Sequence, residues 1–176
     1  TCPSGVNYMH LIDHGRNHVE ETYKRPLFDR LFRNILSLTL PKPNVFLFLV
    51  LATKVMKPFS FIMPEFLRNS LKLMPNKIPS KKIKTQTVYP SESKKTVARV
   101  ALLVGCVQRV ISPEINESTI RLLNRHDVEV VVLPKIDCCG SLNHHLGKKK
   151  LAHVSFAKNI ELWHEEYLKN GLDAII

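Results

Sequence analysis

The chain has 176 residues, 44% of them hydrophobic, which suits one domain with appendages and allows a packed core. Its 26 Lys and Arg against 15 Asp and Glu give a formal net charge of +11, a surplus that can attract nucleic acid, anionic lipid or an acidic partner but does not determine a fold. Four cysteines are too few for a secreted disulfide scaffold of this length, and no secretory signal is visible. Because the first residue is Thr and not Met, we expect a fragment that lacks both ends of a longer gene product.

Residues 1–75 are predicted to be mainly helical. The first 16 residues, TCPSGVNYMHLIDHGR, run from a Cys-Pro turn into a short helix. A second helix is indicated by apolar residues at helical spacing, namely Leu27, Leu31, Ile35 and Leu38. Three histidines lie four residues apart on one helical face: His10, His14 and His18. Since no carboxylate or thiolate is arranged beside them, we favour a solvated or packed face over a metal site.

A third helix begins after Pro43 and contains an uninterrupted apolar run from Val45 to Ala52. Lys54 and Lys57 interrupt the run before it reaches the ~20 apolar residues of a membrane span, so we exclude a span. We favour a core helix covered by the rest of the protein. The alternative is an interfacial helix that docks on a membrane or a partner subunit.

Residues 76–96 are rich in Lys, Ser and Pro and form a predicted basic linker that is extended and solvated. A phosphate-binding arm is the alternative. Tyr89 is the one aromatic residue there that could stack on a base, so we expect no nucleic-acid partner.

Residues 97–176 alternate between strand and helix patterns. A buried strand ends at Gly105, and Ser112 and Pro113 are suited to begin the helix that follows. A second strand covers residues 128–133, a second helix ends near Gly171, and a third strand begins at residue 172. This order predicts right-handed crossovers and a parallel sheet, hence an α/β fold with ligands beyond the carboxyl ends of the strands.

That rule brings three cysteines to one edge of the sheet, because Cys106 follows the first strand and Cys138 and Cys139 follow the second. Thiolates suit zinc or an iron–sulfur cluster. Adjacent cysteines are awkward ligands for one small ion, whereas a cluster offers each thiolate a different iron. Gly140 would allow a tight turn and a close approach to the inorganic core. Three buried structural cysteines are the alternative to a metal site.

The segment GCVQRVISPEINESTIRLLNRHDVEVVVLPKIDCCGSLNHHLG resembles the CCG cysteine-rich domain of heterodisulfide reductases and of glycolate oxidase iron–sulfur subunits. Its GCVQR, PEIN, CCG and HHLG elements are most similar to the latter. Cys106, Cys138 and Cys139 match the first two parts of the family motif. The third, cysteine-containing part is not matched: a common spacing would place it near Asp173, where no cysteine stands, and longer versions place it beyond Ile176.

The first residues resemble the end of a ferredoxin-like run of four cysteines followed by proline, with Cys2 in the last position and Pro3 behind it. The resemblance implies four parts. Residues 1–16 would be the remnant of a ferredoxin-like 2[4Fe–4S] domain, and residues 17–75 a helical region. Residues 76–96 would be the basic linker, and residues 97–176 the N-terminal part of a CCG domain.

The resemblance implies an electron-transfer subunit of an oxidoreductase of the glycolate dehydrogenase type, inactive as an isolated fragment. Its metal ligands would be Cys2, Cys106, Cys138 and Cys139 on [4Fe–4S] clusters whose ligand sets this chain does not complete. The implied partners are a flavin subunit that carries FAD and oxidises glycolate to glyoxylate, and a quinone or other membrane acceptor. We expect a cytoplasmic protein, with peripheral attachment to the inner face of the plasma membrane as an option.

Other interpretations remain open. The chain could belong to a heterodisulfide-reductase-like or lactate-oxidising iron–sulfur subunit, or be a zinc-binding or metal-free interaction module. No acid–base or nucleophilic constellation is evident, so we expect no catalytic residue. Residues that could contact the metal-binding cysteines without binding the metal themselves are Gly140, His144, His145 and Arg109. For the two adjacent histidines, we favour a structural role.

Overall fold

The computed structural model describes residues 5–62, 64–72, 87–93, 95–136 and 138–176. The first part of the chain is helical: α1 (Tyr8–Thr22), α2 (Leu27–Thr39), α3 (Pro43–Met56), a 3-10 helix (Lys57–Ile62) and α4 (Glu65–Lys72). The second part combines strands and helices: β1 (Thr87–Tyr89), β2 (Ala98–Ala101), α5 (Gln108–Ile111), α6 (Pro113–Arg125), β3 (Val128–Val132), α7 (Ser141–His145), α8 (Lys149–Asn170) and β4 (Ala174–Ile175). The predicted mixture of helices and strands is confirmed.

The sheet has the strand order β1-β3-β2-β4. Strands β2 and β3 are parallel, with Val100 opposite Val130, and β2 and β4 are also parallel. The predicted parallel sheet is therefore confirmed. Strand β1 adds an antiparallel edge along β3, inside the segment that we predicted to be a linker without strands. Residues 76–86 and 94 of that segment lie outside the described residues.

Both faces of β2 and β3 are buried, as the apolar sequences of these strands predict. One face packs around Val100, Val130 and Val132 together with Ile120 of α6. The other face carries Ala101 and Val131 and packs against Leu162 and Trp163 of α8. Strand β2 ends at Ala101, four residues before the predicted end at Gly105.

Several predicted helix details differ from the structure. Ser112 precedes α6, but its side chain makes no capping hydrogen bond, while Pro113 does begin the helix. Gly171 ends α8 at φ 75°, and its N–H donates to the carbonyl of Tyr167, as predicted. On α2, α6 and α8, many apolar residues are exposed, including Leu31, Leu122 and Leu168. Apart from Pro113 and Ile120 of α6, the buried residues of these helices are small or polar: Ser37, Asn116, Ala152 and Asn159.

The predicted core helix α3 is buried along one side alone. Phe46 and Val50 pack against Val110 of α5, whereas Phe48, Leu51 and Val55 are exposed. The apolar stretch continues through the 3-10 helix, and little of Pro43–Ile62 is buried. By length and composition alone this stretch could cross a membrane, so length does not exclude a span.

Candidate metal centre

The loop after β2 holds Cys106 in a buried position. Gly105 has φ 56°, a left-handed conformation that favours glycine, and turns the chain into Cys106 and α5. Asn116, buried in α6, donates from Nδ2 to the carbonyl of Val104 at 3.2 Å and accepts from Gln108 Nε2 at 2.7 Å. The loop that carries Cys106 is therefore held by hydrogen bonds on either side of the cysteine.

The second cysteine loop is held by two side chains from other elements. Arg109 of α5 donates from Nη2 to the carbonyl of Ile136 at 3.1 Å, which joins the Cys106 loop to the one after β3. Asn159, buried in α8, donates from Nδ2 to the carbonyl of Cys138 at 2.9 Å. Arg109 thus contacts the backbone two residues before Cys138.

Gly140 adopts φ 83°, as the predicted tight turn requires. A Cβ at this position would lie 2.7 Å from the ring of Phe156 and 3.1 Å from the carbonyl of Ala152. The space that glycine leaves is therefore filled by α8, which passes directly over the turn. We expected the backbone at Gly140 to approach an inorganic core closely. In the structure, it approaches α8 closely.

The two vicinal thiols have different partners. Cys138 is buried, and its Sγ accepts the N–H of Gly140 at 3.4 Å. Cys139 is partly exposed, and its Sγ donates to Ser141 Oγ at 3.2 Å. The two thiols also lie within hydrogen-bonding reach of each other, so the divergence expected of successive side chains is not seen.

The Cys106 thiol lies within hydrogen-bonding reach of Cys138, as the convergence of strand ends predicts. The hydrogen bond from Cys138 lowers the pKa of Cys106 to about 7, although burial opposes the shift. The same hydrogen bond raises the pKa of Cys138. For Cys139, the interaction with Cys138 and then burial raise the pKa to about 12. The three free thiols therefore influence one another as a single group.

These thiols suit an iron–sulfur cluster better than a single ion. Within the described ranges, no three His, Cys, Asp or Glu side chains are arranged to hold one metal ion. Thiolates on two loops can each reach a different iron, and sulfur is the ligand that iron–sulfur clusters use. The donor set fits as a partial one: Cys106, Cys138 and Cys139. The fourth predicted ligand, Cys2, lies outside the described residues.

The histidine pair contacts an aspartate. His144 Nε2 lies 3.2 Å from Asp13 Oδ2, and His145 Nδ1 lies 3.1 Å from Asp13 Oδ1. The hydrogen bond with His145, more than that with Arg16, lowers the pKa of Asp13 although burial opposes it. This favours the structural role for the pair, which ties α7 to α1. The helical-face histidines His10, His14 and His18 are exposed.

Sequence reasoning missed the buried amides that support the cysteine loops. Asn116, Asn143 and Asn159 are each at most 6% exposed. Asn143 accepts a hydrogen bond from Ser37 of α2 at 2.6 Å. Each of these asparagines lies at a helix position where an inward-facing apolar residue is expected. A polar residue at such a position could have indicated the supporting role, because buried polar side chains require partners.

Residues 100–176 match the family model of the CCG cysteine-rich domain. Over all 176 residues the chain is 35% identical to the glycolate oxidase iron-sulfur subunit of Escherichia coli K12, of which it covers 40%. It is 28% identical over 171 residues, 90% of this chain, to the probable glycolate oxidase iron-sulfur subunit of Bacillus subtilis 168, covering 38% of that protein.

A third relative matches less than half of the chain. It is an uncharacterized iron-sulfur protein of Methanocaldococcus jannaschii, 34% identical over 77 residues, which are 44% of this chain and 15% of that protein. No solved structure matches the chain. The chain thus spans about two fifths of the length of the two glycolate oxidase subunits.

Proposed function

We propose that this chain is part of the iron–sulfur electron-transfer subunit of a glycolate oxidase complex. The proposal rests on one observation: Cys106, Cys138 and Cys139 lie close together beyond the carboxyl ends of two parallel strands. The names of the two relatives that align along nearly the whole chain support the substrate assignment. The iron-sulfur name of a third supports the cofactor.

In this proposal the three thiolates hold part of a [4Fe–4S] cluster, whose chemistry is the reversible uptake of one electron. Cys2 ligates a second cluster. Other described residues hold the cysteine ligands in position. Asn116 and Arg109 hold the loops on either side of Cys106, and Asn159 fixes the carbonyl of Cys138. Electrons come from FAD on a partner subunit and leave to a quinone or other membrane acceptor.

The test is replacement of single cysteines by serine in the full-length subunit, followed by anaerobic reconstitution. We expect Cys139→Ser to lose iron and sulfide from the CCG-associated site, together with its EPR signal on reduction. Cys2→Ser, as the matched control, should leave that signal in place. Unchanged iron and sulfide in Cys139→Ser contradicts the proposal, and zinc in place of iron would support the interaction module instead.

A second measurement separates electron transfer from assembly. In the complex that carries Cys139→Ser, glycolate should still reduce the flavin, because the flavin belongs to another subunit. Delivery of electrons to a quinone should fail. Loss of both activities would mean that the complex has collapsed, and quinone reduction at the normal rate would contradict the relay.

We also propose that Pro43–Ile62 attaches the protein to the surface of an anionic membrane. Its exposed side carries large apolar residues, including Phe48, Val55 and Phe61. Between residues 40 and 62 there are three lysines and no acidic residue. Exposed apolar and aromatic side chains beside lysines are typical of helices that lie in an anionic lipid interface.

Contacts on the buried side of the same helix support a position of the cysteine centre close to the membrane. Phe46 and Val50 pack on Val110, and Val107 joins this cluster directly after Cys106. A membrane that contacts the exposed side of α3 would thus lie one helix thickness from the cysteine loop. That arrangement suits a centre that passes electrons to a membrane acceptor.

A further inference from the structure

Cys139 differs from the other two cysteines of the centre in having a hydroxyl beside its sulfur. The distance between Cys139 Sγ and Ser141 Oγ is 3.2 Å. Cys138 receives a backbone N–H, which no substitution of a side chain would remove. Ser141 therefore offers a hydrogen bond to sulfur that can be deleted by itself.

The hydroxyl of Ser141 is not required for the helix that it begins. Ser141 is the first residue of α7, the N-cap is Gly140, and no side chain makes a capping hydrogen bond there. The side chain is exposed. A serine hydroxyl can donate as well as accept, so it can reverse its role when its partner loses a proton.

That reversal follows from the chemistry of the thiol. As a thiol, Cys139 donates its S–H to Ser141. A thiolate has no proton to donate and accepts hydrogen bonds, so the serine O–H becomes the donor. Hydrogen bonds to the sulfurs of an iron–sulfur centre stabilise its more negative, reduced form and raise its reduction potential.

We propose that Ser141 is a positioning residue that donates its hydroxyl to the Cys139 sulfur and raises the reduction potential of the centre held there. The inference rests on the proposed function, because it requires an iron–sulfur group at Cys139. It adds a role that neither the cysteine motif nor the relatives' names assign.

The experiment compares Ser141→Ala and Ser141→Thr in the reconstituted full-length subunit. Iron and sulfide content are measured first, followed by an EPR-monitored redox titration. We expect both variants to hold the same iron and sulfide as the wild type. The midpoint potential of Ser141→Ala should shift to a more negative value, while Ser141→Thr, which keeps the hydroxyl, should stay close to the wild type.

Ser118→Ala is the matched control, because Ser118 is an exposed helical serine whose hydroxyl contacts Arg121 and no sulfur; its potential should not change. An unchanged potential in Ser141→Ala would overturn the inference alone. Loss of iron from Ser141→Ala would also overturn it, since the hydroxyl would then hold the loop together and not tune the sulfur. A wild-type subunit without iron at these cysteines would overturn the proposed function, and the inference with it.

Discussion

Gly147 lies directly against Arg16: a Cβ on Gly147 would be 2.8 Å from the Arg16 carbonyl oxygen. Through this contact, helix α1 rests on the loop that follows the Cys-Cys-Gly turn. Helix α2 is held at the same place, where Arg33 Nη2 donates to the Leu146 carbonyl at 2.8 Å. The two N-terminal helices are therefore packed onto the cysteine-bearing part of the chain, more than a hundred residues away in sequence.

Gly147→Ala should destabilise this packing. The change forces a Cβ into φ 76° and into contact with α1, which we expect to cost about 3 kcal/mol. Gly5→Ala is the control: Gly5 has a similar φ of 68° but nothing within 4 Å of its Cβ position, so its cost should be about 1 kcal/mol. Urea denaturation measures both, and equal losses would show that the close approach is unimportant.

Asp13→Asn should remove a pH-dependent part of the stability. The hydrogen bond with His145 lowers the pKa of Asp13 from its usual 3.8. A lowered pKa in the folded state stabilises the protein above the unfolded-state pKa, and this contribution is lost as the pH falls through the folded-state value. The difference in Tm between wild type and variant should therefore be present at pH 6 and shrink as the pH falls below 3.8. A difference that grows on acidification would contradict the assignment.

Arg99→Met should be destabilising because Arg99 joins two strands and a helix. Its Nε lies 2.6 Å from Glu129 on β3, and its Nη2 lies 2.6 Å from Glu166 on α8. Since both carboxylates lose their partner, we expect a loss of about 2 kcal/mol, below the range for fully buried pairs. Arg125→Met breaks a pair with Glu92 that is more than 60% exposed, and its cost should stay below about 0.5 kcal/mol. Similar losses of stability in the two variants would show that the ion pairs of Arg99 contribute no more than an exposed pair.

Asn159→Leu should disturb the cysteine loop before it disturbs the fold. The substitution leaves the buried carbonyl of Cys138 without its donor at 2.9 Å, which we expect to cost about 1–3 kcal/mol. Iron should also dissociate faster from the reconstituted subunit. Asn170→Leu, which changes an exposed asparagine at the end of the same helix, is the control. Iron retention equal to that of the control would show that Asn159 does not support the centre.

Val55→Glu combined with Phe61→Glu should weaken binding to lipid. Both residues are at least 70% exposed on the proposed attachment surface. We expect the full-length subunit to sediment with vesicles rich in phosphatidylglycerol, and the double variant to bind at least about tenfold more weakly. Val154→Glu on α8, where the valine is 68% exposed, should bind like the wild type. Equal binding by the double variant, or no binding by the wild type, would contradict membrane attachment. Either result would indicate that this surface binds a protein partner.

The sheet and the meeting of the cysteines were predictable because both follow from local patterns. Two β-branched runs separated by a helix specify parallel strands, and the residues that follow such strands must share an edge. Strand β1 was not predictable from Thr87–Tyr89 itself, since three residues between polar segments become a strand through pairing with β3. The contacts of Asp13 with His144 and His145 depend on the packing of distant helices, which no local pattern in either segment contains.

The buried positions of α2 and α8 could not be read from the spacing of apolar residues, for a related reason. An apolar stripe indicates which side of a helix avoids water, but in this chain much of that side is exposed, and polar residues such as Ser37 and Asn159 face the interior. Their partners are an amide and a backbone carbonyl in the cysteine-bearing segment. Whether such a polar residue is buried depends on a partner in a distant segment, which the spacing of apolar residues does not reveal.

Strands β2 and β3 occupy the two inner positions of the sheet, and each leads into one of the cysteine loops. Backbone amides bonded on both sides exchange with solvent slowly, because they open only when a large part of the domain opens. We therefore expect the two inner strands to open last. The loops that carry the thiols are thus anchored to the part of the domain that should persist longest during unfolding.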